Sequence, residues 1–320
     1  MSVRLELPRW DGLPGDARRA LARTEAWAGS AAMAALVSEF GGSTATRTPG
    51  DLLDYLDAFA ASHWDFRGGG ERNLASAPDF PAGREAVIQT ATATLGLDSS
   101  AGPSRRSYDA VLMTGGMVRA AVVKPRYVRA LVDAGLTARS ILFLGAFRRF
   151  AGDEAEVAER LGISGAGEFD AMVSGVDAAF GPLGEPSVDG SSHDNPYLSW
   201  REVTWHQGPS MVGVLATPSS EGTRRANTAD TLRFWARRHA ASTGSVLLVT
   251  TPVYVPYQNA VAVEVLGLEQ GLSVETVAVS AAASDLGADT QIFAASHKLQ
   301  ELRSAIHGMR DLRKALEERL

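Results

Sequence analysis

Five short runs rich in Val, Ile and Leu constrain the fold more than any other feature of this 320-residue chain. They fall at residues 110–113, 140–144, 211–216, 245–250 and 273–279, and segments of helical periodicity separate them. Alternation of that kind predicts strands of a parallel sheet joined by crossover helices. The near-continuous apolar content of each run predicts burial on both sheet faces. The expectation is an α/β fold: a Rossmann-like, doubly wound, mainly parallel sheet of about five or six strands. REVTWH, residues 201–206, reads as an added antiparallel edge strand, and residues 181–196, rich in Gly, Ser, Asp and Pro, read as an exposed loop.

Before the first strand the periodicity is helical throughout. Ala22, Ala26, Gly29, Met33, Leu36, Val37 and Phe40 predict one helix over 16–40, with the following glycines as its stop. A second is expected over 48–61, where Pro49 suits the first turn, and a third over 84–95. A long amphipathic helix over 296–320 closes the chain. Residues 1–100 are therefore read as a helical cap and 101–320 as the α/β domain, with the terminal helices as the surfaces through which a homodimer would form.

Composition removes several classes of function. Without cysteine there is no disulfide, thiol nucleophile or zinc-thiolate site. A net charge of −6 gives no chain-wide attraction to nucleic acid or anionic lipid. No apolar run approaches the roughly 20 residues of a membrane span, and the opening MSVRLELPRWDG lacks a signal-peptide core, so a cytoplasmic location without membrane contact is expected. The six histidines show no paired ligand spacing, so no metal site is expected, and His63 alone is a histidine to test in catalysis. Neither a Walker lysine motif, G-x-G-x-x-G nor G-x-S-x-G occurs.

In an open parallel sheet, ligands sit outside the carboxyl ends of the strands. The first strand ends in Thr114, Gly115 and Gly116, either a tight turn or a place where backbone approaches an anion. The second runs into Arg148 and Arg149, with Asp153 and Glu154 at the start of another helix. These acids read as cap and dipole charges or as part of a binding network with the arginines. After the third strand, SSEGTRRANTADTL places Ser220, Arg224, Arg225, Asn227, Thr228 and Asp230 at a helix start, a solvated basic turn or an anion site. The fourth ends in Thr250, Thr251, Tyr254, Tyr257 and Gln258, a concentration of hydrogen-bonding groups. Residues 63–73, HWDFRGGGERN, read as a helix terminus with a mobile loop or as a glycine-hinged lid.

The order of these motifs resembles the YdcF-like family of domains of unknown function over residues 108–279. The resemblance implies a Rossmann-like fold, one cleft faced by Gly115, Gly116, Glu154, Asn227, Thr228 and Thr250, and an association with S-adenosylmethionine. Two departures stand out: Thr251-Pro-Val-Tyr254 replaces the family's histidine-bearing segment, and Asp230-Thr231 replaces Glu-Asn.

The reading that follows is a small-molecule hydrolase or transferase for a nucleotide-like or phosphorylated ligand. Glu154, Asp230 and Tyr254 are its candidate catalytic groups, and the other strand-end residues bind. The alternatives are an S-adenosylmethionine-binding transferase, on the resemblance alone, and a non-catalytic sensing or scaffold protein.

Overall fold

The computed structural model describes residues 4–66, 78–99 and 101–320. Four helices come first, α1 (Asp16–Ala28), α2 (Ala31–Glu39), α3 (Pro49–His63) and α4 (Ala82–Thr94). There follow β1 (Ser107–Thr114), α5 (Val118–Asp133), β2 (Thr137–Gly145), α6 (Glu154–Arg160), α7 (Glu168–Phe180) and β3 (Ser187–Ser191). Next are β4 (Trp200–Gln207), β5 (Ser210–Ala216), α8 (Thr228–His239), β6 (Ser245–Thr250) and α9 (Val255–Ala262). The chain ends with β7 (Ser273–Ala278), α10 (Ala281–Ser284) and α11 (Ala295–Arg319). No helix among the described residues is long and apolar enough to cross a membrane.

These elements divide into two compact units. The helical unit comprises Met1–Ser99, Pro252–Glu269 and Ile292–Leu320; the sheet unit comprises Ser100–Thr251 and Gln270–Gln291. In the helical unit the core gathers Trp27, Leu36, Leu56, Trp64, Ile88, Leu302 and Met309, all without solvent exposure. The indole of Trp27 also donates to the Leu95 carbonyl at 3.0 Å, so its polar edge is satisfied inside. The expected single helix over 16–40 is two. Gly29 closes α1 and the Ser30 side chain caps α2 by accepting from the Met33 amide, so a helix stop and a helix start meet inside one apolar pattern. His63 stacks on Phe59 and meets the Phe59 carbonyl at 2.9 Å, a packed helix end. Residues 67–73 of the proposed lid lie outside the described residues.

The sheet is mixed and has seven strands in the order β3-β4-β5-β2-β1-β6-β7. The five strands from β5 to β7 are parallel, whereas β3–β4 and β4–β5 pair antiparallel. Residues 110–113 of β1 have no exposed surface at all, the double-faced burial that their composition predicts. Two expectations need correction. The region 181–196 is not all loop, because it contains β3, and β4 is therefore not the edge. All five residues of β3 (SVDGS) are exposed, so nothing in its composition alternates with a core. Order reverses between β1 and β6: the chain leaves β1 for β2 on one side and later returns to β6 on the other.

Candidate functional site

At the carboxyl end of β1 the backbone must pass very close to its neighbours. A Cβ on Gly115 would lie 3.0 Å from the Leu144 carbonyl and the Gly145 Cα, and closer still to the Glu168 carboxylate, so only glycine fits without displacement. One and a half turns into α5, Lys124 is fully buried. Its ammonium donates to the Thr114 carbonyl, to Thr114 Oγ1 at 3.0 Å and to the Gly115 carbonyl at 3.2 Å. Three donors meet three acceptors, so a cation is held at the end of β1 with its hydrogen-bonding capacity used. Thr114 Oγ1 also donates to Thr250 Oγ1 on β6 at 3.3 Å, across the point where strand order reverses.

Arg148 leaves β2 and lies between two glutamates. Its guanidinium holds Glu154 bidentately and donates to the Gly116 carbonyl at 3.1 Å, while its Nε stands 3.5 Å from Glu168 Oε2. Glu154 opens α6 with no exposed surface. Beyond the arginine it accepts from the amides of Val118 and Ala151, each at 3.0 Å. Burial pushes its carboxyl up, but Arg148 and these amides outweigh it, leaving Glu154 below the usual carboxylate range.

Glu168 opens α7 and comes out the other way. Its Oε1 accepts from the Gly116 amide at 2.8 Å. Burial dominates here: the carboxyl is raised despite the positive charges of Arg148, Arg225 and Lys124 and despite that amide. The backbone brings the two sides together, because the Glu168 amide donates to the Arg148 carbonyl at 2.8 Å and Arg149 bridges to Gly167. Arg149 itself points outward and is exposed.

The SSEGTRRANTADTL stretch forms the start of α8. Asn227 and Asp230 make a reciprocal cap, in which the Asp230 amide donates to Asn227 Oδ1 at 2.9 Å and the Asn227 amide to Asp230 Oδ2 at 3.1 Å. Arg224 donates to Asp230 at 2.6 Å, to Glu221 at 2.8 Å and to Ser220 at 3.2 Å, so its charge is matched locally. Burial raises the Asp230 carboxyl, and Arg224, Ser220 and the Asn227 amide more than reverse this. Thr228 is the first residue of the helix. Half-buried Arg225 adds its positive charge to the field at Glu168.

The structure thus brings Thr114, Gly115, Gly116, Arg148, Glu154, Arg225 and Thr250 around one centre. Asp230, Arg224, Ser220 and Asn227 form a separate cap. Thr251, half-buried, ends the first segment of the sheet unit, and Pro252–Glu269 beyond it belongs to the helical unit. There Tyr254 packs edge-on against Phe293, Tyr257 lies against Gly308, and Gln258 is buried on α9. Sequence reasoning missed Lys124 and Glu168. One signal was available for Lys124, since it is one of three lysines in an arginine-rich chain and stands inside an apolar helical run. At the opposite end of the strands an open cleft of about 800 Å³ is lined in part by Asp109, Arg129 and Arg139. Its charges are already paired, Arg139 with Asp109 and Arg129 with Asp133, and it lies at the amino ends of the parallel strands, away from the edge where such sheets bind ligands.

Comparison with known proteins corrects the YdcF-like resemblance. Residues 12–96 match the family model of the Rv3785 N-terminal domain, and these are the helices that the resemblance left unaccounted for. The chain is 30% identical to the uncharacterized protein Rv3785 of Mycobacterium tuberculosis (strain ATCC 25618 / H37Rv), over 95% of this chain and 93% of the relative. The figures are the same for the uncharacterized protein Mb3814 of Mycobacterium bovis. No solved structure matches. The motif order that suggested YdcF is a set of strand-end turns and a helix cap, features that many parallel sheets need for their own backbone reasons. With that resemblance goes the only ground for S-adenosylmethionine. A match spanning nearly the whole of both chains, with the family's own N-terminal domain in place, makes this chain a member of the Rv3785 family.

Proposed function

We propose that the sheet unit binds a small phosphorylated or nucleotide-like molecule at the carboxyl ends of its parallel strands and acts on it as a hydrolase or transferase. The observation that carries this reading is Glu168. A buried carboxyl whose proton affinity is raised, set among Lys124, Arg148 and Arg225 at a strand end, is the kind of group that enzymes use to move protons near neutral pH. Strand order supports the same placement. The parallel set β5-β2-β1-β6-β7, with its reversal beside Thr114 and Thr250, is that expected of a Rossmann-like, doubly wound sheet, whose ligands sit at the reversal.

Each residue has a role in this reading. Arg225 takes the anionic group, because a guanidinium fork matches phosphate oxygens, and Arg148, whose fork is given to Glu154, adds its positive charge. Gly115 and Gly116 let backbone come close, and Lys124 fixes the turn that they make. Glu154 holds Arg148 in place, and Glu168 gives or accepts the proton. Asp230 and Arg224 shape the start of α8 next to Arg225.

The test is a thermal-shift screen of purified protein against nucleotides, sugar phosphates and inorganic phosphate. A ligand at a hundred times its Kd stabilises the native state by about 2.7 kcal/mol. Arg225→Ala should remove the shift, and Glu168→Gln should keep binding while slowing turnover about 10²- to 10⁴-fold. A well-folded protein that responds to none of these anions would end the reading. A second reading, ligand sensing without turnover, is favoured by one observation: Glu154 and Asp230 are both locked into ion pairs and amide contacts and have no freedom to trade protons. Binding without product formation would select it.

A further inference from the structure

The anion position at the entrance to α5 is already filled by the chain itself, and the two carboxylates that fill it are held very differently. Glu154 meets the Val118 amide and also receives Arg148 twice and the Ala151 amide once. Glu168 meets the Gly116 amide at 2.8 Å, and its other oxygen stands 3.5 Å from Arg148 Nε. One carboxylate is therefore fixed and the other exchangeable.

We propose, on the reading of this centre as an anion site, that the ligand's anionic group displaces the Glu168 carboxylate from the Gly116 amide, and that Glu168 takes up a proton as it leaves. Charge balance supplies the reason. The groups facing Glu168 are Lys124 from α5, Arg148 after β2, Glu154 from α6 and Arg225 before α8. When a dianion enters, three positive charges meet Glu154 and two ligand charges, and the set is neutral only with Glu168 protonated. A second carboxylate left ionised in that buried space would be repelled by the ligand and would lack its former amide. The proton comes from solvent, one for each anion bound, and no bond to the ligand is made or broken. Protonation also turns Glu168 from an acceptor into a donor, so that its O–H can face a ligand oxygen. The exchange selects for ligands carrying a dianionic group such as a phosphate monoester, which compensates the three cations where a monoanion would not.

Sulfate is the probe of choice, because its charge stays at −2 across the working pH range while that of phosphate changes. Titration calorimetry of the full chain in two buffers of different ionisation enthalpy should report about one proton taken up per sulfate. Affinity should weaken about tenfold per pH unit in the interval between Glu168's value in the free protein and its higher value in the complex. Glu168→Gln should bind sulfate more tightly than wild type at neutral pH and with no pH dependence; a merely structural role for Glu168 would not raise affinity. Arg225→Ala should abolish binding, which locates the sulfate. Binding at this place with no proton uptake and a flat pH profile would overturn the exchange while leaving the anion site standing. Failure of sulfate and inorganic phosphate to bind at all would overturn both.

Discussion

Glu154 and Glu168 each stand at the first residue of a helix, within reach of the same arginine, and burial pushes both carboxyls in the same direction. They nevertheless end on opposite sides of the ordinary range. Glu154 has both guanidinium branches and two amides, whereas Glu168 has one amide and a more distant arginine nitrogen. Burial sets the direction unless donors aimed at the oxygens outweigh it, which they do at Glu154 and do not at Glu168. The better-held carboxylate serves as structure, and the poorly held one is the group to which the proposed function gives the proton.

The sharpest way to break this comparison is to remove the structural member. Glu154→Ala would strip Arg148, itself 9% exposed, of its bidentate partner and leave a buried guanidinium with the more distant Glu168 carboxylate as its counter-charge. Breaking such a pair costs about 3–5 kcal/mol. Urea denaturation should show that loss for Glu154→Ala and a much smaller one for Glu168→Gln, which removes a charge that burial already opposes. Equal losses would mean that the two carboxyls are not different in kind. Gly115→Ala comes next. Its methyl would meet the Leu144 carbonyl and Gly145 Cα at 3.0 Å, and backbone yields less readily than a side-chain end. A destabilisation of about 1–3 kcal/mol is expected, with weakened anion response in the thermal-shift screen.

The third prediction uses pH, and the two carboxyls should move stability in opposite directions. Glu168 is raised in the folded state, so its contribution is present below the ordinary carboxylate range and is lost as pH rises through its folded value. Glu154 is lowered, so its contribution is present above that range and is lost as pH falls through its folded value. Gln at 168 does not titrate. The stability of wild type relative to Glu168→Gln should therefore decline with rising pH, by about 1.4 kcal/mol for each unit separating the folded and unfolded values. A difference that stays constant, or grows, from acid to neutral pH would contradict the assignment.

How much of this was legible beforehand follows from the distance over which each signal acts. β1, β2, β5 and β6 could be read because strands buried on both faces are apolar where they are buried, whereas β7 (SVETVA), at the sheet edge, buries only its two valines and Ala278. β3 could not, since an exposed outer strand answers to no core. The arginines at 148 and 225 were visible as strand-end charges, but nothing adjacent in sequence marks Glu168 as their partner. It arrives through the backbone pairing of Arg149 with Gly167, a contact between two loops. Tyr254, Tyr257 and Gln258 are a different case. They follow β6 within a few residues, yet at Pro252 the chain passes into the helical unit, so nearness in sequence to a strand end was no guide to their surroundings.

The smallest effect belongs to the other arginine–carboxylate pair, and it shows what sets the Arg148 centre apart. Asp230 is buried like Glu154 and is likewise held by an arginine and an amide, but Arg224 keeps 34% of its side chain in solvent against the 9% of Arg148. When Asp230→Ala removes the partner, Arg224 can turn to water and to Glu221, so no buried charge is stranded. What is lost is the reciprocal cap, in which the Asn227 amide gives up its acceptor while Asn227 Oδ1 still receives the amide of residue 230. Loss of half a cap at a helix start costs about 1 kcal/mol. Urea unfolding should place Asp230→Ala well above Glu154→Ala in stability, although both remove an acid from the first turn of a helix beside an arginine. A loss as large as that of Glu154→Ala would mean that solvent access to the arginine is not what separates the two sites.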